Sequence, residues 1–111
     1  MPPEELRYAL LRAIANSPET NQRALSETMG VSVGRINMAL RALVERGLVH
    51  VSEAGEGRRH RYDISALGRA EQSALATVFI RRKEEQREQL EREIHQLRTD
   101  LETYKGGMRT R

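Results

Sequence analysis

The sequence predicts a mainly α-helical protein carrying one small β-hairpin and a long C-terminal helix. Three observations carry this. Apolar residues recur at helical spacing as far as Arg46, the period drops to two on either side of a glycine-rich stretch beyond Gly47, and no proline interrupts the chain after Pro18. With 111 residues there is room for one compact domain and one projecting helix. A composition 38% hydrophobic, 32% charged and 4% aromatic suits a charge-rich helical chain better than a sandwich or barrel core.

The first helix follows Pro2 and Pro3, with Leu6, Leu10, Ala13 and Ile14 inward and Glu4, Glu5, Arg7 and Arg12 outward. Ser17 and Pro18 end it. Asn21 is placed to cap a second, short helix from Gln22 to about Met29, whose buried side is Leu25 and Met29. Gly30 supplies the left-handed stop, and Ser32 caps a third helix from Val33 to about Arg46. Val33, Ile36, Leu40, Leu43 and Val44 form its expected apolar side, and Gly47 closes it. Helix, glycine turn and helix together make a helix-turn-helix.

Beyond Gly47, Val49 and Val51 alternate with His50 and Ser52, and Tyr62 and Ile64 with Arg61 and Asp63, across the basic glycine stretch AGEGRR. The result is a hairpin wing. Ser65 then caps the long helix, in which Leu67, Ala70, Ala74, Leu75, Val78 and Phe79 are expected to cover the small domain. Gly68 is expected to weaken its first turn slightly. From Arg81 to Gln89 every residue is polar, so that stretch reads as a solvated bridge. Leu90, Ile94, Leu97, Leu101 and Tyr104 then step by 4, 3, 4 and 3, the spacing of coiled-coil d and a positions. The fold expected is thus a winged helix-turn-helix over 1–65, a long dimerisation helix over 66–105 and a flexible tail over 106–111.

The exclusions are as informative. No cysteine is present, which removes disulfides, thiolate nucleophiles and thiolate metal sites together. Glu91 and His95 stand one helical turn apart without a third ligand, His50 and His60 have no nucleophile beside them, and no phosphate-binding glycine loop occurs. No enzyme activity, cofactor or metal is expected. The N-terminus lacks a secretory pattern and no long apolar run exists, so a cytoplasmic protein without membrane partners is expected.

An α-helix held on its inner side fits the major groove of double-stranded DNA with its outer side. At 100° per residue the third helix turns Gly34, Met38 and Arg41 outward, with Arg35 and Asn37 on the flanks. Arginine can grip guanine and asparagine adenine through two hydrogen bonds, methionine can touch a thymine methyl, and glycine permits close approach. Gln22, Arg23 and Ser32 are placed for backbone phosphates, as are Arg58, Arg59 and Arg61 of the wing. Arg81, Arg82 and Lys83 precede Glu84 and Glu85 and read as a solvated face.

For pairing, Leu90 and Leu97 fall at d and Ile94 and Leu101 at a, with Tyr104 at the next d. Leu75 and Phe79 are counted in the same surface. Glu93 and Asp100 at g would then face Arg98 and Lys105 at e of a parallel copy, whereas antiparallel chains would bring the acids together. A two-fold homodimer sets its recognition helices about 34 Å apart, which implies an inverted-repeat operator. The competing expectation is a protein-interaction adaptor, against which the polar recognition face, poor in aromatics, speaks.

The stretch NQRALSETMGVSVGRINMALRALVERGLVHV, followed by RYDISALGRAEQSALATVFIRRKEEQREQLEREIHQL, resembles the MarR-type regulators associated with exopolysaccharide operons. The likeness runs over nearly the whole chain. Its first part is shared by many winged helix proteins, and its selective part is LATVFIRRK with the EREIHQL seam. The resemblance implies a cytoplasmic transcriptional regulator of surface polysaccharide genes, with Arg35, Asn37, Met38 and Arg41 on the recognition helix. Larger members hold small ligands between dimer and DNA-binding parts. With less chain for that purpose here, a small-molecule effector is not expected.

Overall fold

The computed structural model describes residues 1–53 and 60–109, with side chains followed as far as 107. The elements run α1 (Pro3–Asn16), β1 (Glu19–Thr20), α2 (Gln22–Met29), α3 (Val33–Glu45), β2 (Val49–Glu53), β3 (His60–Ile64) and α4 (Ala66–Arg109). They fall into two compact units, Met1–Ala76 and Thr77–Arg111.

In the first unit, α1 starts where Pro3 has no amide hydrogen to leave unsatisfied, with Glu4 and Glu5 beside the positive helix end. Asn21 Oδ1 accepts the Ala24 amide at 2.8 Å and so caps α2. Ser32 Oγ caps α3 by accepting the Arg35 amide at 3.2 Å. Gly30 between them has φ +67°, which a side chain would make costly. The sheet is antiparallel in the order β1-β3-β2, with Val49 opposite Ile64 and Val51 opposite Tyr62.

Strand β1 was not anticipated. Two residues are too few to display an alternation, and the pairing of Glu19 with Arg61 and Thr20 with His60 is dictated from across the chain. The Tyr62 amide donates to the Pro18 carbonyl at 2.8 Å, which ties the loop after α1 to β3.

The core joins Leu6, Leu10, Leu11 and Ile14 of α1, Leu25 of α2, Ile36, Leu40 and Leu43 of α3, and Leu48, Val49 and Tyr62 of the sheet. Val33 and Val44, expected inward, are 44% and 36% exposed. Val33 opens α3 and Val44 lies on its flank, so the stripe that meets α1 and α2 is narrower than the apolar pattern suggests.

The start of α4 brings a second correction. Ser65 Oγ donates to the carbonyls of Gly47 and Leu48 at 2.6 and 3.1 Å and accepts the Gly68 amide at 3.0 Å. A Cβ at Gly68 would stand 2.1 Å from the Leu48 carbonyl oxygen and 2.8 Å from Ile64 Cγ2. Gly68 is therefore no mere weak point of the helix. It is the place where α4 rests directly on backbone, and that contact turns the face carrying Gly68 and Leu75 inward. Leu67, one residue or 100° away, is left 58% exposed, and Ala70, Ala74 and Val78 are exposed as well.

In the second unit every residue from Arg81 to Gln89 is exposed, as the absence of apolar residues requires. Arg82 places its guanidinium 5.7 Å from the centre of the half-buried Phe79 ring.

Candidate nucleic-acid interface

Helix α3 is held from within by Ile36, Leu40 and Leu43, all nearly inaccessible to solvent. On its other side Gly34, Met38 and Arg41 are exposed, Met38 by 73%, while Arg35 and Asn37 on the flanks are half-exposed. The helix carries no acidic residue before Glu45. Its outward surface therefore offers two guanidiniums, a carboxamide and a thioether, with a glycine where a partner can come close. Arg35 has one neighbour of its own, since Nη2 donates to the Met1 carbonyl.

Arg23 and Ser32 are exposed, and Gln22 is half-exposed at the start of α2. Gln22, Arg41, Val44, Val51, His60 and Tyr62 line an open groove of ≈ 370 Å³ between α3 and the sheet. A second groove of ≈ 290 Å³ lies between α1 and α3, with Arg7, Arg35 and Arg46 over an apolar floor. In the wing, Arg61 is not a bare cation. Its Nε lies 3.2 Å from Asp63 and its Nη1 4.0 Å from Glu19. The two other wing arginines, Arg58 and Arg59, lie outside the described residues. Burial raises the Tyr62 phenol above its ordinary pKa by desolvation.

Sequence reasoning missed an ion cluster behind α3. The Glu71 carboxylate accepts Arg7 Nη1 at 2.8 Å and stands 4.0 Å from Nη2 of Arg46, the C-cap of α3. Its partners come from α1 and α3, and no local motif announces them.

The expected pairing residues divide. Leu75 is 7% exposed within the first unit, so its apolar surface is already covered by its own domain. In the second unit Leu90, Ile94, Leu97, Leu101 and Tyr104 are 57%, 46%, 66%, 49% and 65% exposed. Ile80, 58% exposed, occupies an a position of the same heptad register. Two heptads separate it from Ile94, which is the signal that could have found it. Neighbouring polar side chains bond along the helix, with Gln89 donating to Glu93 at 3.1 Å and Gln96 to Asp100 at 3.0 Å. Among the described residues no group of three His, Cys, Asp or Glu could hold a metal ion, and no helix is long and apolar enough to cross a membrane.

Residues 1–60 match the model of the MarR family. The fold is also similar to solved structures. The PcaV transcriptional regulator from Streptomyces coelicolor, in complex with its natural ligand, is 26% identical over 68% of this chain and 54% of its own, with a TM-score of 0.60. A MarR family protein of Mycobacterium tuberculosis in complex with salicylic acid is 26% identical over 66% and 55%, with a TM-score of 0.55. CouR from Rhodococcus jostii RHA1, bound to p-coumaroyl-CoA, is 26% identical over 65% and 52%, again with a TM-score of 0.55. The chain spans about half the length of these structures. No curated protein matches it. Because these similar structures hold small molecules, the expectation that an effector is absent has no support.

Proposed function

The chain belongs to the MarR family, and from that premise we propose that it is a cytoplasmic, sequence-specific transcriptional regulator that binds double-stranded DNA as a homodimer on an inverted repeat. The observation that carries this is the division of α3 into a fully buried side and an exposed, acid-free side made of Gly34, Met38 and Arg41 with Arg35 and Asn37 beside them. Arg35, Asn37, Met38 and Arg41 read base edges, and Gly34 lets the helix sit deep in the groove. Gln22, Arg23, Ser32 and the wing arginines Arg58, Arg59 and Arg61 hold phosphates.

Pairing runs through Leu90, Ile94, Leu97, Leu101 and Tyr104, which reach water only because nothing in their own unit covers them. The parallel arrangement is favoured by Glu93 and Asp100 meeting Arg98 and Lys105. The resemblance of LATVFIRRK and EREIHQL to exopolysaccharide-operon regulators supports surface polysaccharide genes as targets. A small-molecule effector is compatible with this reading. The protein-interaction adaptor is disfavoured because the outward face of α3 lacks the aromatic anchors on which such surfaces rely.

Selection of bound duplexes from a random pool tests the reading directly. Enrichment of a palindrome with half-sites about one helical turn apart is expected. A pool that stays random would reject DNA reading, and enrichment of a lone half-site would reject the dimer.

A further inference from the structure

The corner where α3 ends is held by α4 at two separated places. At the first, Ser65 and Gly68 meet backbone. The Ser65 amide donates to the Leu48 carbonyl at 3.0 Å, Ser65 Oγ donates to Gly47 and Leu48, and Gly68 admits the Leu48 carbonyl where no side chain would fit. At the second, about 9 Å further along α4 from Ser65, the Glu71 carboxylate accepts a hydrogen bond from Arg7 of α1 at 2.8 Å and stands 4.0 Å from Arg46 at the end of α3.

One attachment fixes a point, whereas two fix a direction. Ile36, Leu40 and Leu43 lock α3 into the core, and Ser65 and Gly68 fix the point at which α4 starts from Leu48, so the direction that the first turns of α4 take from that point is what a second contact settles. We propose that Glu71 is a positioning residue that sets the direction of the recognition helix relative to the first turns of α4 within Met1–Ala76, and thereby the distance between the two half-sites that a dimer accepts. This rests on the reading of the protein as a dimeric DNA binder.

The physics of the site suits that role. The Arg7 and Glu71 side chains are 29% and 23% exposed, so their attraction is less weakened by water than that of a fully exposed pair. Arg46 stands at the negative end of α3, where a cation is favoured, and Glu71 engages it there. The ion-pair partners of Glu71 are Arg7 of α1 and Arg46 at the C-cap of α3, neither of them on the outward face of α3, so it acts on DNA through placement. One base pair changes the separation of half-sites by about 3.4 Å and turns one against the other by about 35°, so the spacing a dimer accepts reports how the recognition helices are set.

The test uses the full chain, with duplexes carrying the selected inverted repeat at its native spacing, with one base pair inserted, with one removed, and as a single half-site. The wild-type protein is expected to lose about tenfold in affinity for either altered spacing, of the order of one mismatched base pair. Glu71→Gln, which keeps the shape and removes the charge, is expected to lose less than about threefold on the same duplexes, with half-site affinity and self-association unchanged.

Undiminished spacing selectivity in Glu71→Gln would overturn the proposal while leaving the function intact. So would an equal loss on half-site and full site, because that is the signature of general destabilisation. Absence of wild-type binding to any duplex would sink both. Should Glu71→Gln melt below the assay temperature, Arg46→Gln serves instead. That side chain is 51% exposed and its removal cuts only the longer arm of the cluster.

Discussion

The two units, Met1–Ala76 and Thr77–Arg111, use apolar residues at the same helical spacing to opposite ends. In the first, Leu10, Leu11, Ile14 and Ile36 meet one another and Leu48 and Val49 of the same chain, and all are essentially sealed from water. In the second, Ile80, Leu90, Ile94, Leu97, Leu101 and Tyr104 stand on one helix with no element of their own unit to cover them. Burying a large apolar side chain contributes about 1.5–3 kcal/mol. The first unit collects that energy when it folds, and the second can collect it only by association. Periodicity alone therefore says that a face will be buried, and the number of elements nearby says whether the same molecule can do it.

That contrast can be broken at either end. The largest effect on folding is expected from Leu10→Ala. It should lower the free energy of unfolding by about 2–5 kcal/mol in urea titrations, because α1 is packed too tightly to collapse onto the space left. Leu97→Ser should leave the urea midpoint of a dilute, monomeric sample unchanged. It should weaken self-association by more than about a hundredfold in sedimentation velocity, because a dimer loses two such apolar contacts. An equal shift of the urea midpoint by both substitutions would erase the distinction between the units.

Gly68→Ala sharpens the comparison, because an added methyl group usually stabilises a helix by up to about 1 kcal/mol. Here the opposite sign is expected, with a loss of about 1–3 kcal/mol in thermal denaturation, since the methyl meets the Leu48 backbone and not a movable side chain. The smallest effect is one of pH. The Tyr62 phenol has its pKa raised by burial, so the unfolded chain deprotonates first. The stability that follows from keeping it neutral is whole below about pH 10 and declines as the pH rises through the folded value. Tyr62→Phe should flatten that alkaline decline and leave the profile near neutrality unchanged in slope.

What could be read from the sequence was local chemistry. Asn21, Gly30, Ser32 and Ser65 announce helix boundaries through bonds to their near neighbours, and each does so in the structure. The outward face of α3 was equally legible, because a buried stripe at Ile36, Leu40 and Leu43 fixes what must lie opposite. What was hidden depends on distance. Strand β1 exists only because β3 pairs with it, and Arg7 lies 64 positions from Glu71. The inward face of α4 was misread for a related reason. Leu67, Ala70, Ala74 and Val78 form one apolar stripe while Gly68 and Leu75 lie on another, and a close approach to Leu48 decides between them. A hydrogen in place of a side chain outweighs a row of methyl groups.

The setting of Arg61 has a consequence for ionic strength. With Asp63 at 3.2 Å and Glu19 at 4.0 Å, this guanidinium carries its own anions before any duplex arrives. A cation so compensated displaces few of the sodium ions condensed along a nucleic acid, and their release is what makes such binding weaken as salt is added. Arg61 gives up part of that pairing when it takes a phosphate, so a tally of wing arginines overstates the sensitivity, and the measured slope should fall short of the tally by part of the share assigned to Arg61.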